Sequence, residues 1–515
     1  MALYRSIATI GGWTMGSRVL GFLRDVLIAR LLGASMVSDV FFVALQLPNV
    51  FRRLFAEGAF NAAFVPLFAG ELTNNGRSAA KEFAEKVLGV LLVFLVFLTA
   101  LIEIFMPSVI TLIAGGFAEN PTKFWLAVDC ARLTFPYLMF ISISALLGGI
   151  LNTLERFMAT ASAPIALNLL LIGALFGIMY GWFPDPGIAL STGVLLAGLG
   201  QLIWLSIICF RTGLFPGVPK LLLDQKVKRF FLLIGPGVIG AGVYQINVLI
   251  GIRLATELPE GSVSFLYFAD RINQLPLGVV GAAVGVALLP LLSRQLKAGD
   301  KEGARKSQSS AIELSMLLTV PATAALLVLS TPIITVLFQR GEFGPGATEA
   351  TAMALKAFTL GLPAYVLIKA ISPAFFARED TVTPVKVAVV ALIINVVFAL
   401  LLMPYIAHVG IALATAVSAW INALILILIL IRRDLLFFER LLCLKLVKIV
   451  LVSGVTASIL WGLSEYFSSS LVSNSFLGIV TLIFLIIIGL ILFFCLVIFT
   501  GIMTWKDLKD YLRRD

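Results

Sequence analysis

The sequence predicts an all-α polytopic membrane protein with about 14 transmembrane helices, arranged as two parallel six-helix repeats that form an N-lobe and a C-lobe, plus two extra C-terminal helices. Three observations support this fold class. The 515 residues are 60% hydrophobic and only 13% charged, whereas soluble domains are about 25% charged. Basic residues cluster in alternate connections, and blocks of sequence recur at one offset. The net charge of +10 is therefore interpreted as a topology signal, and no nucleic-acid partner is expected.

Hydrophobic stretches long enough to cross about 30 Å of hydrocarbon define the spans. Pro48, Pro136, Pro276 and Pro363 fall inside spans and predict kinks. We expect no cleavable signal, because the stretch after Arg5 is longer than the apolar region of a signal peptide and lacks an A-x-A site. The predicted spans are 6–32, 36–66, 87–114, 125–151, 161–182, 187–210, 230–256, 263–292, 310–338, 348–376, 384–404, 409–431, 443–464 and 476–503.

The distribution of Lys and Arg over the connections between spans tests the number of spans. One set of connections, together with both termini, holds about 25 Lys and Arg residues, whereas the alternate set holds about two, Lys123 and Arg340. By the positive-inside rule the rich set is cytoplasmic. Both termini are then predicted to be cytoplasmic, and the number of spans is even.

An internal repeat divides the chain. Three blocks recur at an offset of about 225 residues, pairing 64–76 with 288–300, 107–117 with 332–343, and the Phe135-Pro136 step with Leu362-Pro363. Residues 1–211 and 226–432 are then the N-lobe and the C-lobe, and 443–503 forms the two extra helices. Because six is even, both lobes enter the membrane from the same side, and a substrate site is expected between them.

Charged residues inside the spans are the most informative feature for function. Arg18 and Arg24 lie in the first span, where a charge at mid-membrane costs at least about 2.5 kcal/mol. Such cations are tolerated when they face protein or a water-filled cavity, and guanidinium groups bind phosphate oxygens in pairs. The pattern favours an anionic ligand. A buried ion-pair network that only ties helices together is the alternative.

Two further spans carry polar residues at helical spacing. The second span has a polar stripe that marks its cavity side, and the eighth places an acid beside an arginine just before Pro276. In the first span, Arg18 and Asp25 share a face, with Arg24 roughly 120° away. The stripe of the second span consists of Asp39, Phe42, Gln46, Asn49, Arg53 and Glu57, and the pair in the eighth span is Asp270 and Arg271.

Catalytic and metal chemistry are disfavoured. The chain has one histidine, His408, and four cysteines without paired spacing. No nucleotide-binding or hydrolase motif stands in a suitable context. We therefore expect a protein that is not an enzyme and that needs no cofactor or metal.

Residues 16–68 (GSRVLGFLRDVLIARLLGASMVSDVFFVALQLPNVFRRLFAEGAFNAAFVPLF) resemble the signature of the MurJ (MviN) lipid II flippases, and 267–293 (YFADRINQLPLGVVGAAVGVALLPLLS) resemble the matching stretch of that family's second half. The resemblance implies the fold of the MOP exporter superfamily and a monomer in the bacterial inner membrane. It also implies transport of an undecaprenyl-diphosphate-linked peptidoglycan precursor to the periplasmic leaflet. The helices in 443–503 resemble the family's groove for the lipid tail.

The same resemblance implies the site residues. The family's cavity residues fall on Arg18, Arg24, Asp39, Asn49, Arg52, Arg53 and Arg271. We expect five neighbouring polar residues to support them, namely Ser17, Asp25, Gln46, Glu57 and Asp270. Asp39 is expected to act as a counter-ion within about 4 Å of a cavity arginine, above all Arg24, in at least one state. A polysaccharide-lipid flippase and a MATE-like cation-coupled drug exporter remain as alternatives.

Overall fold

All regular secondary structure is helical in residues 2–56, 59–437, 439–471 and 475–503, the part of the chain that the computed structural model describes. A π-helix covers Arg52–Ala56, and a 3₁₀-helix covers Gly115–Glu119. The all-helical fold class is therefore confirmed. The described residues contain seventeen α-helices, named α1 to α17 in chain order, which run over Ala2–Leu32, Met36–Phe51, Ala59–Asn74, Gly76–Ile104, Met106–Ile113, Pro121–Thr134, Tyr137–Thr153, Phe157–Met179, Pro186–Arg211, Gln225–Ala255, Ser262–Lys297, Lys301–Phe338, Pro345–Leu360, Leu362–Phe376, Val382–Arg432, Arg440–Tyr466 and Phe476–Phe499.

Nine helical stretches within the described residues are long and apolar enough to cross a membrane. One of them, α15, contains two predicted spans, which a break at Ile406 and Ala407 separates. Ala407 has a φ of +46°, a conformation that L-residues rarely adopt. The other four predicted spans correspond to α1, to α2 with α3, to α10 and to α11. These observations are consistent with fourteen spans.

Four spans predicted as single helices each consist of two, namely 36–66, 87–114, 125–151 and 348–376. Proline explains three of the divisions, since Pro107 and Pro363 stand in the first turns of α5 and α14, and Pro136 precedes α7. The second span divides differently, because a π-helix separates α2 from α3. Such a turn has wider spacing than an α-helix, so the 100° per residue assumed for the predicted stripe applies only as far as Phe51.

The chain forms two compact units, Met1–Ser264 and Phe265–Asp515. In the first unit, α8 packs against α1 and α9, and α10 packs against α3, α4 and α5. In the second unit, α12 packs against α13, α14, α16 and α17. The lobe boundaries drawn from the repeat stay predictions, and α10 belongs to the first unit by its packing.

The segment between α9 and α10 is held against α4. The Glu85 side chain accepts a hydrogen bond from the Gly217 N–H at 3.0 Å and pairs with the Lys220 Nζ at 2.8 Å. Asp224, which caps α10, pairs with Lys86 at 3.0 Å. Gly89 allows the close approach, because a Cβ there would lie 2.4 Å from the Lys220 carbonyl oxygen. These contacts fix where α10 begins.

Candidate functional site

Arg24 lies in a buried cluster between α1 and α8. Its side chain is only 4% exposed. The guanidinium donates to Asp25 Oδ1 from Nε at 3.0 Å and from Nη2 at 2.7 Å. A third bond runs from Arg24 Nη1 to Asn168 Oδ1 at 3.1 Å. Three of its N–H groups are thus committed to protein acceptors in this structure.

Asn168 orients this cluster and was not predicted from the sequence. Its Nδ2 donates to the Ser17 carbonyl oxygen at 2.9 Å, so one amide joins the backbone of α1 to the Arg24 guanidinium. Gly21 lies against this amide, and a Cβ there would be 3.4 Å from Asn168 Oδ1. Asn168 is the one asparagine in the apolar sequence of α8, and a lone buried amide of this kind requires hydrogen-bond partners.

Arg18 contrasts with Arg24 on the same helix. Its side chain is exposed, and no hydrogen bond or ion pair joins it to another described residue. The two arginines are six positions apart, or about 9 Å along the helix axis. Arg18 is therefore available to a ligand, whereas Arg24 is held by its neighbours.

Asp39 is the centre of a second buried cluster, and it is 1% exposed. Its Oδ1 accepts from Ser264 N–H at 3.0 Å and from Ser264 Oγ at 2.7 Å. Its Oδ2 accepts from the Gly261 N–H at 2.9 Å and pairs with Lys123 Nζ at 3.2 Å. One carboxylate thus joins the first turn of α2, the first turn of α6 and the turn that leads into α11.

Neighbouring contacts strengthen the same junction. The Met36 N–H donates to Glu260 at 2.7 Å, and the Ser38 and Ser264 hydroxyls are hydrogen-bonded at 2.9 Å. The expected pairing of Asp39 with Arg24 is absent from this structure. The cation beside Asp39 is Lys123, because Arg24 already has a carboxylate at the next position of its own helix.

The rest of the second-span stripe is placed as follows. Gln46 is half-buried, and Asn49 Oδ1 accepts from Arg52 Nε at 3.2 Å. Arg53 is half-buried on the π-helix, with no hydrogen bond to another described side chain. Glu57 lies outside the described residues.

In the second unit, Arg271 and Asp270 lie on α11. The Arg271 guanidinium lies 5.4 Å from the centroid of the Tyr267 ring, which is the geometry of a cation–π contact. Gln274 Nε2 donates to Asp270 Oδ2 one turn along the helix. Within the described residues, no group of three or more His, Cys, Asp or Glu is placed to hold a metal ion.

Comparisons with known proteins agree on one family. A family model described as "Lipid II flippase MurJ" matches residues 28–482. A probable lipid II flippase MurJ from Rhizobium meliloti (strain 1021) is 45% identical over 90% of this chain and 86% of the relative. Another from Rhizobium tropici is 44% identical over 100% of this chain and 97% of the relative.

Solved structures show the same relationship. A structure titled "Lipid II flippase MurJ, inward closed conformation" is similar with a TM-score of 0.78 and 25% identity, covering 98% of this chain and 99% of that one. An inward-facing MATE family transporter of the MOP superfamily shares the fold, with a TM-score of 0.68 and 14% identity over 81% of this chain and 94% of that one. With a matching family model over most of its length and relatives above 40% identity, this chain belongs to the MurJ family of lipid II flippases.

Proposed function

We propose that this chain moves lipid II, a lipid-linked peptidoglycan precursor, from the cytoplasmic to the periplasmic leaflet of a bacterial inner membrane by alternating access. Both termini are cytoplasmic in this proposal, as the cation asymmetry predicts. The observation that carries it is Arg18, an exposed guanidinium on a membrane helix without a described protein partner. The names of the relatives supply the substrate.

The diphosphate of the precursor is the anion that these arginines bind in an arginine-lined cavity. A guanidinium stays charged in any environment and presents paired donors to phosphate oxygens. Arg18, Arg53 and Arg271 are the primary ligands in this proposal, and Arg52 joins them from its bond with Asn49. Arg24 reaches the substrate only if Asp25 and Asn168 release it, so its first role is to fix the shape of α1.

In this proposal the Asp39 cluster controls the opening of one side of the transporter. Its bonds join α2, α6 and the turn before α11 on the side that the charge asymmetry predicts to be periplasmic. An outward opening at this junction must break several charge-assisted hydrogen bonds to one buried carboxylate, each worth about 1.5–3 kcal/mol. Asp39 therefore stabilises the state in which this junction is closed.

The lipid tail stays in the bilayer along α16 and α17. Both helices expose large apolar side chains, such as Leu451 and Trp461 on α16 and Ile487 and Ile491 on α17. An apolar surface of this kind matches a hydrocarbon chain without any polar recognition.

Depletion of the protein in its native host tests the proposal. Lipid-linked peptidoglycan precursor should accumulate, and periplasmic reagents should no longer reach it. Wild-type protein should restore the flux, whereas Arg18→Ala should not, and Arg18→Lys should restore little because an ammonium lacks the planar fork. Arg30→Ala is the matched control, since Arg30 is also exposed on α1 but lies outside the predicted site.

An unchanged precursor pool after depletion would contradict the proposal. Accumulation of a different lipid-linked saccharide would favour a polysaccharide flippase instead.

A further inference from the structure

An open cleft of about 590 Å³ lies among α1, α3, α7 and α8 in the first unit. Its wall is mostly apolar and includes Ala62, Val65 and Phe157. The loop between α7 and α8 carries Arg156, which the charge asymmetry assigns to the cytoplasmic side. A volume of this size is in the range of about 300–1,000 Å³ that binds small organic groups.

The polar groups of the cleft are incompletely bonded. Asn61 Oδ1 is buried and has no hydrogen-bond partner among the described residues. Asn152 Oδ1 accepts from Thr160 Oγ1 at 2.9 Å, which leaves the Asn152 amide nitrogen without a described acceptor. Thr14 also lines the cleft, and its hydroxyl is not bonded to any described residue. Buried polar atoms in native proteins rarely stay unpaired, so the unpartnered Asn61 Oδ1 indicates a ligand or water in the cleft.

The lining defines the chemistry of that ligand. No charged side chain is among the described residues that line the cleft, so the lining does not select an ion. Two amides and two hydroxyls offer both donors and acceptors, and the apolar wall offers a surface for C–H groups. A sugar ring with hydroxyl and acetamido groups has this combination of features, whereas a polyprenyl chain would leave the amides unpaired.

The position of the cleft relative to Arg18 narrows the ligand further. Thr14 and Arg18 are four residues apart, so they lie on the same face of α1 at about 6 Å along its axis. In a lipid-linked peptidoglycan precursor the first sugar is bonded directly to the diphosphate. A diphosphate held at Arg18 therefore places the attached sugar at the distance of the cleft.

We propose that this cleft binds the amino-sugar part of the lipid-linked precursor, with Asn61, Asn152 and Thr160 as hydrogen-bonding residues. This inference rests on the proposed function of the arginines. It adds a recognition site that distinguishes a sugar-bearing lipid diphosphate from a bare one.

Binding to the purified full-length protein tests the inference with three probes. The probes are lipid II, undecaprenyl diphosphate carrying one N-acetyl amino sugar without peptide, and bare undecaprenyl diphosphate. Asn61→Leu and Asn152→Leu should each weaken binding of both sugar-bearing probes about two- to tenfold, as expected for one lost neutral hydrogen bond. Both variants should leave the affinity for the bare diphosphate unchanged.

Two controls accompany these variants. The first is Asn422→Leu, which makes the same change at a half-buried asparagine whose Oδ1 also lacks a described partner. Asn422 lies in α15, far along the chain from the residues that line the cleft, so this variant should keep the wild-type affinity for all three probes. Ala62→Phe fills the cleft and should weaken only the sugar-bearing probes. Asn61→Leu should not lower the melting temperature, because it removes a polar atom that is unpaired without ligand.

The outcomes separate the two proposals. If Arg18→Ala leaves all three affinities unchanged, the proposed function of the arginines is wrong. If Arg18→Ala weakens all three while the asparagine variants change none, only the sugar site is wrong. Equal weakening of the bare diphosphate by Ala62→Phe, or an asparagine effect confined to the peptide-bearing probe, also overturns the sugar assignment.

Discussion

The two units of the molecule differ in where they place their charged side chains. All the charged side chains that are buried in the described residues, Arg24, Asp25, Asp39 and Glu85, belong to the first unit. The ion pairs described in the second unit are partly exposed. For example, the Asp380 and Arg433 side chains are 24% and 47% exposed.

Buried and exposed ion pairs differ in how much stability is lost when one partner is removed. A buried pair is costly to break, because the remaining group keeps its desolvation penalty, whereas an exposed pair is worth about 0–1 kcal/mol. Single substitutions of the buried charges in the first unit are therefore expected to lower both stability and transport. Substitutions in the exposed ion pairs of the second unit should change stability only weakly and in a way that depends on pH.

The largest effect is predicted for Asp39→Ala. The substitution removes the acceptor for Gly261, Ser264 and Lys123 at once. It leaves Lys123, whose side chain is only 11% exposed, without its carboxylate, and the total cost is about 3–5 kcal/mol. We expect a clear fall in melting temperature in detergent and loss of transport. Asp39→Asn keeps the size of the side chain but places an NH₂ group among the N–H and O–H donors that now bind the carboxylate. Its melting temperature and its transport should therefore lie between those of Asp39→Ala and wild type.

Thermal unfolding and precursor flux measured on the same three proteins check this prediction. A normal melting temperature for Asp39→Ala would show that the cluster does not stabilise the closed junction.

The next largest contrast is between Arg24→Ala and Arg18→Ala. Both variants should lose transport, but only Arg24→Ala should lose stability, by about 3 kcal/mol, because it leaves the buried Asp25 without this guanidinium. Arg18 is exposed and has no described partner, so the free energy of unfolding of Arg18→Ala should be within about 0.5 kcal/mol of the wild-type value. Equal melting temperatures for the two variants would remove the distinction between a structural and a ligand-binding arginine.

Much of the fold could be predicted from the sequence. Hydrophobic stretches and alternating cations gave the spans, because both depend on local composition. The adjacency of Asp25 and Arg24 was also visible in the chain. The pairing of Asp39 with Lys123, 84 residues away, depends on how α2 packs against α6, so helix periodicity could not supply it.

Two signals for these long-range contacts were nevertheless present. Lys123 is one of about two cations on the side that the positive-inside rule leaves poor in cations. A poorly exposed cation on that side is stabilised by an acid beside it. Asp39 and Ser264 are 225 residues apart, which is the offset of the predicted repeat.

The smallest effect is predicted in the second unit, at Asp380 between α14 and α15. Partial burial raises the pKa of Asp380, but hydrogen bonds from Arg433 and Thr383 outweigh it and lower the pKa from an ordinary value of 3.8 to about 2. A lowered pKa in the folded state means that the pair stabilises the protein fully above pH about 4 and loses this contribution as the pH falls toward 2. Because Arg433 is half exposed, the contribution is about 1 kcal/mol or less. Asp380→Asn should therefore have a slightly lower melting temperature than wild type at pH 6, and this difference should vanish near pH 2. A difference that persisted at pH 2 would show that the substitution acts through the shape of the side chain and not through its charge.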